Sequence, residues 1–288
     1  MKQLGIFTLK PNSYTSKRFS EEARKIDLDP TIVPYYEINL NIQTCGTKVF
    51  WNNKPLPRFD LVNLGRVDLR FTFQRDYLLS LFLKQDTRVL NAESLLAYPR
   101  IDKLNQHFLF QELGLPFVET RVFGSRKQAI NSITNFPVII KNKHGSKGML
   151  VYKIHNQEEL VKLLGKSETS SLLVQPFLKA GEDIRVIVLG FKALGAMKRI
   201  AQPGQYLTNF SAGGRVEKYL LENDSEAIRI SETLAKNLHM EYGGVDLMKD
   251  EKGSWQILEF NRPCQFEGFE KATGLNLAGN ILDYLMKK

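Results

Sequence analysis

Short apolar runs separated by mixed, helix-length segments fill the first third of the chain. The opening run ends in Ile6-Phe7-Thr8 and predicts a first strand, followed by a polar loop over 10–17. Ser20 is a favourable N-cap, and Glu21 and Glu22 sit where a helix dipole favours acids, so a helix is expected to begin there. Thr31-Ile32-Val33, Phe59 to Leu64 and Arg88-Val89-Leu90-Asn91 predict further strands, and Tyr77 to Leu83 an apolar helix. Residues 51–57 are turn-rich. Strands alternating with helices imply a small parallel sheet. Pro99 restricts Tyr98 and marks a boundary.

After that boundary the pattern changes. Arg100-Ile101-Asp102-Lys103 opens a helix bearing Leu104, Phe108, Leu109 and Leu113, closed at Gly114 with Pro116 beyond. Phe136 to Lys141, Met149 to Tyr152 and Ser171 to Gln175 predict three strands of a small lobe. Asn156 and Glu159 form a capping box for a helix carrying Leu160, Val161 and Leu164. Two hairpins follow: 184–189 with 193–197 across Gly190-Phe191-Lys192, and 245–248 with 255–261. Between them Ile230, Leu234 and Leu238 mark a helix over 225–238, with Asn223 and Glu226 as its capping pair; a last helix starts near Leu275. The fold class expected is α/β with α+β lobes. A parallel unit occupies 1–97, and 98–288 holds a small lobe (about 118–178) and a mainly antiparallel lobe (179–288).

Composition narrows the class. The chain has 288 residues, 43% hydrophobic and 25% charged, the balance of a globular protein and not of collagen, a coiled coil or a disordered tail. No apolar run reaches the roughly 18 residues that span a bilayer. The amino terminus carries no secretory signal pattern, and two cysteines, Cys45 and Cys264, make no disulfide framework, so a cytoplasmic location with free thiols is expected. Lys plus Arg exceeds Asp plus Glu by 40 to 31, giving +9, which favours anionic partners. The basic residues are scattered without interleaved aromatics, which disfavours nucleic acid. The four histidines show no metal-ligand spacing.

The candidate chemistry lies late in the chain. Strand alternation puts Glu259 and Asn261 on one face, with Leu258 and Phe260 on the other. If the second hairpin pairs across its turn, Asp246 joins them. Two carboxylates and an amide oxygen are hard ligands suited to Mg²⁺ shared with substrate phosphates; the alternative is a polar sheet face in water. Lys141 ends an apolar strand and Lys103 begins a helix, so both could bind phosphate or be merely solvated. The loop His144-Gly145-Ser146-Lys147-Gly148 could form an anion nest or a plain hairpin tip. Asp183-Ile184-Arg185 and Arg199 offer guanidinium forks for oxyanions, or a surface ion pair. A glycine-containing loop, 209–214, follows them.

The order of these pieces resembles the ATP-grasp fold, and especially its RimK-like glutamate-ligase branch. The resemblance covers nearly the whole chain. It includes Ser16-Lys17-Arg18, Leu56-Pro57-Arg58-Phe59-Asp60, Asp102-Lys103, Asp183-Ile184-Arg185, Gly244-Val245-Asp246 and Glu259-Phe260-Asn261, and above all Glu267-Gly268-Phe269-Glu270-Lys271-Ala272-Thr273-Gly274.

This resemblance implies that Lys103 and Lys141 contact ATP phosphates and that Gly145, Ser146 and Gly148 close over the triphosphate. It assigns Gln175, Pro176, Phe177 and Leu178 to the adenine-reading hinge and places Asp183 near the ribose. Asp246, Glu259 and Asn261 would hold Mg²⁺ or Mn²⁺. Arg185, Arg199 and Asn209 would face the transferring phosphoryl group. The chain departs from the pattern at Pro176, which has no N–H, so Phe177 or Leu178 must serve the hinge. Leu207 replaces an expected arginine, and Arg262-Pro263-Cys264-Gln265 lies where an acceptor would approach. The implied reaction joins an amino acid, glutamate favoured, to a peptide, protein-tail or small-molecule carboxylate through an acyl phosphate. Alternatives are a phosphotransferase on the same fold, or a non-enzymatic nucleotide or nucleic-acid binder. No membrane partner is expected, and a homo-oligomer stays open.

Overall fold

The computed structural model describes all residues except 144–149, 180, 207, 209–213 and 288. The chain begins with strand β1 (Lys2–Thr8), helix α1 (Tyr14–Lys25) and strand β2 (Leu28–Pro34). After β6 (Leu61–Leu64), α2 (Thr72–Lys84), β7 (Arg88–Val89) and α3 (Ala92–Ala97), the strands form a parallel sheet in the order β2-β1-β6-β7. Alternation along β1 serves both faces. Leu4 and Ile6 enter a core with α1, and Phe7 enters a second core with Tyr35, Phe59 and Phe82.

Two local expectations are corrected here. Helix α1 starts earlier than Ser20, because Ser13 caps it by accepting the Ser16 N–H at 3.2 Å. Residues 51–57 are not only turns: β3 (Ile38–Gln43), β4 (Gly46–Trp51) and β5 (Lys54–Pro55) make an antiparallel meander. Its strands are largely exposed, so they lack the apolar run that announces a strand.

Next come α4 (Lys103–Glu112), capped by Asp102, and a lobe of α5 (Arg126–Ser132), β8 (Val138–Asn142), β9 (Val151–Ile154), α6 (Gln157–Leu164) and β10 (Leu172–Pro176). Its antiparallel sheet runs β10-β8-β9. The capping box at α6 is present: Glu159 N–H donates to Asn156 Oδ1 at 3.0 Å, and His155 N–H to Glu159 Oε2 at 2.8 Å.

The final lobe is a five-stranded antiparallel sheet, β13-β12-β11-β14-β15, built from β11 (Glu182–Leu189), β12 (Lys192–Ile200), β13 (Arg215–Tyr219), β14 (Tyr242–Lys249) and β15 (Trp255–Asn261). Gly190 and Phe191 both adopt positive φ, +59° and +65°, as a two-residue hairpin turn requires. One face carries Ile184, Val186, Val245, Leu247 and Ile257 into a core with α4 and with α7 (Ser225–Asn237). Helix α7 is capped by Asp224, not Asn223, because it is the Asp224 carboxylate that accepts the Ala227 N–H.

The chain ends in α8 (Glu267–Thr273), not anticipated as a separate helix, and α9 (Leu277–Lys287). Both share a core with α1 and β1. A polar clamp lies beside it. Glu270 accepts from Tyr14 Oη at 2.6 Å and Arg18 Nε at 3.0 Å, and Arg18 also reaches Glu22 and Asn276. Burial and Glu270 push the Tyr14 phenol up to about 12. The segment 267–274, the longest motif read in the sequence, thus docks the parallel sheet onto the antiparallel one. Arg18→Ala is expected to cost about 2–3 kcal/mol, because it leaves Glu22 and Glu270 under-paired. A thermal melt should fall by roughly 5–10 °C.

Candidate active site

The second face of the five-stranded sheet lines a cleft of about 1220 Å³, whose opposite wall comes from the parallel sheet and α4. Register brings the acidic residues together: Asp246 pairs with Glu259 across β14 and β15. Next to that pair the register shifts, so Leu247 opposes Ile257. This bulge corrects the simple alternation. Ile257 and Phe260 are in the core, while Leu258, expected beside Phe260, is part-exposed and lines the cleft, because the extra residue resets the phase of the strand.

Asp246 is 2% exposed and sits between two guanidinium groups. Arg185 binds it through Nε and Nη2 at 2.6 and 2.7 Å, and Arg199 Nη2 lies 2.9 Å from Oδ2. Burial opposes its charge, but the two cations outweigh burial and hold the carboxyl below its ordinary value. Asp183, also buried, continues the network. Its oxygens accept from Arg199 Nε at 2.6 Å, Arg199 Nη2 at 2.9 Å and Thr208 Oγ1 at 2.6 Å. Glu259 accepts from Asn261 Nδ2 at 3.1 Å.

Lys103 and Lys141 face the same cleft. Burial lowers the pKa of both ammonium groups, and Glu259 counteracts the shift in each. An anion bound between them would favour their charged forms. His107 organises this end: Nδ1–H donates to Lys103 O at 2.6 Å, and Nε2 takes the Gln175 amide at 3.0 Å. Gln175 Nε2 also donates to Thr120 Oγ1 at 2.8 Å, so its buried side chain is a strut between the small lobe and α4. Phe177 N–H already donates to Pro137 O at 3.3 Å. Pro176 has no N–H, and Leu178 lines the cleft wall.

Gly145, Ser146, Gly148 and Asn209 lie outside the described residues. Arg262 is committed elsewhere. It donates to Ser94 Oγ at 2.6 Å and to the Ser94 and Tyr98 carbonyls, which closes the end of α3, and burial lowers its pKa to about 10. Cys264 is buried, and burial pushes its thiol up, while Cys45 is exposed. A disulfide-exchange reagent should therefore titrate one thiol in the native protein and two in denaturant; two fast thiols in the native state would contradict the burial.

His107 is structural, as the histidines are expected to be, whereas two residues carry no sequence signal of their own: Thr208 and Arg66. Arg66 follows the carboxyl end of β6 in the parallel sheet and donates from Nη1 to Asn261 Oδ1 at 2.8 Å. The signal available for it was positional, since ligands of parallel sheets gather at the carboxyl ends of strands.

A family model described as the RimK-like ATP-grasp domain matches residues 101–285. The chain belongs to the RimK-like ATP-grasp family. A probable alpha-L-glutamate ligase of Legionella pneumophila (strain Corby) is 30% identical over 99% of this chain and 96% of its own length. A protein of the same description from Aeromonas salmonicida is 26% identical over 99% and 97%. Among solved structures, the ATP-grasp ligase PsnB complexed with precursor peptide PsnA2 and AMPPNP superimposes with a TM-score of 0.73 at 18% identity, covering 99% of this chain and 96% of that one. The macrocyclase MdnC of Microcystis aeruginosa MRC, bound with precursor peptide MdnA, gives 0.73 at 13%, covering 99% and 100%. This RimK-like chain therefore has the ATP-grasp fold and is an ATP-using ligase that forms carbon–nitrogen bonds. Among its described residues no helix is long and apolar enough to cross a membrane.

The donor set fits the nucleotide and cation that such a ligase uses. Asp246, Glu259 and Asn261 carry hard oxygens on one wall, beside Lys103 and Lys141, with the Asp246 oxygens held by Arg185 and Arg199 and the Asn261 oxygen by Arg66. Among the described residues no three His, Cys, Asp or Glu side chains gather so that they could hold a metal ion. A cation here would complete its shell with phosphate oxygens.

Proposed function

We propose that this enzyme activates a carboxylate as an acyl phosphate and condenses it with the amine of an amino acid, glutamate favoured, using ATP and Mg²⁺ or Mn²⁺. The observation that carries the reading is the convergence of Asp246, Glu259 and Asn261 on a cleft that Lys103 and Lys141 share. The choice of glutamate rests on the relatives named as probable glutamate ligases. The acceptor class, a peptide or protein tail or a small-molecule carboxylate, follows from the same reading. So does the division of the chain into 1–97 and 98–288.

A carboxylate is a poor acyl donor until its oxygen becomes a good leaving group, which phosphorylation supplies. A bound divalent cation offsets phosphate charge in the loose transition state. The protein's own groups do the positioning. Lys103 and Lys141 hold the phosphates by charge, and Leu178 N–H reads the base. Arg185 and Arg199, pre-set by Asp246 and Asp183, face the transferring group without reorganising. Gly145, Ser146, Gly148 and Asn209 belong to the proposal through the family resemblance. No nucleophilic serine or cysteine is needed, in keeping with the raised pKa of Cys264.

The test is a screen of amino acids against peptide and small-molecule carboxylates with ATP and Mg²⁺, read by ADP release and product mass. ADP release that needs both substrates, with a product mass lower by water than their sum, supports the ligase. A product heavier by phosphate identifies a phosphotransferase instead.

A further inference from the structure

Arg66 enters the candidate cation site from the opposite wall of the cleft. Its approach is fixed at Gly65, whose N–H donates to Phe7 O at 2.9 Å. A Cβ at Gly65 would lie 2.4 Å from that carbonyl oxygen, so glycine is required for the chain to pass. The Arg66 side chain is exposed to the cleft and forms no ion pair among the described residues; its hydrogen bond goes to the Asn261 amide oxygen. Asn261 in turn donates to Glu259. A guanidinium only donates and a carboxylate only accepts. The network therefore fixes the amide with oxygen toward Arg66 and nitrogen toward Glu259. In this orientation Asn261 shows an NH₂ to the carboxylate with which it would share a cation. The two cannot chelate together until the amide turns over and the Arg66 hydrogen bond breaks.

We propose that Arg66 is a positioning residue of the cation site, and that its guanidinium and a divalent cation compete for Asn261 Oδ1. Loading the cation then releases a contact that ties the parallel sheet to the catalytic one. The inference rests on Asn261 as a cation ligand, the reading proposed above.

The experiment is Mn²⁺ titration of the full chain with saturating ADP, following free Mn²⁺ by electron paramagnetic resonance. Wild type, Arg66→Met, Asn261→Ala and the double variant are compared, with Arg66→Gln as a second substitution. Thermal melts check folding, which loss of an exposed side chain should preserve. Arg66→Met is expected to bind Mn²⁺ about tenfold more tightly, the value of one charge-assisted hydrogen bond removed from competition. Arg66→Gln, which keeps a neutral donor, should fall between. The gain should vanish in the Asn261→Ala background. An unchanged or weaker affinity in Arg66→Met overturns the proposal. So does an equal gain in the Asn261→Ala background, since that reports removal of a charge alone. If Asn261→Ala binds Mn²⁺ like wild type, the ligand reading fails and the competition with it. If Asn261→Ala weakens binding while Arg66→Met has no effect, only the competition fails.

Discussion

Glu259→Gln is expected to lower ATP-dependent ligation by about a thousandfold, the scale of losing one anionic ligand to a cation that stabilises phosphoryl transfer. The melting temperature should stay within about 2 °C of wild type, as for substitutions outside the packed core. The two readouts separate because of where Glu259 stands. It is part-exposed in the cleft, and its hydrogen-bond partner, the Asn261 amide, can also donate to a glutamine oxygen. ADP release measured beside a thermal melt checks both. Activity within a few-fold of wild type would remove Glu259 from the cation site.

Asp246→Asn should do something different, because the residue serves structure and chemistry together. A buried and a part-buried guanidinium, Arg199 and Arg185, share this one carboxylate. Neutralising it removes the only ion pair that Arg185 makes among the described residues and leaves Arg199 to Asp183 alone, and breaking a buried pair this way costs about 3–5 kcal/mol. For a chain of this size that lowers the melting temperature by roughly 10 °C, alongside loss of ADP release. The pH dependence follows from sign. The folded carboxyl is held below its ordinary value, so its stabilisation is complete above the ordinary carboxylate range. It is lost as pH falls through the depressed value. Asp246→Asn should therefore flatten the acid side of the stability curve. An unchanged melt would mean that Asp183 and water, not Asp246, satisfy the two arginines.

The contrast between these carboxylates shows where sequence reading stops. Local features were legible because local physics sets them. The Asn156–Glu159 cap, the helix opened by Asp102 and the hairpin joining 245–248 to 255–261 follow from periodicity and capping chemistry within a few residues. So did the placement of Asp246 near Glu259, since one hairpin fixes both. The start of α1 was misplaced because two serines compete as caps, and only Ser13 has its hydroxyl aimed at a free N–H. The meander over 38–55 escaped because exposed strands carry no apolar signature.

What the sequence determined by itself was most of the elements, the family they spell and the candidates for chemistry. The tertiary structure alone decided their partners. It sank Asp246 between two arginines, turned Arg262 away toward α3, spent the Phe177 N–H on Pro137 and brought Arg66 across the cleft to Asn261. The reason is physical. Periodicity and capping act over a turn or a strand, whereas ion-pair partners depend on sheet register, on one bulged residue and on how two sheets dock.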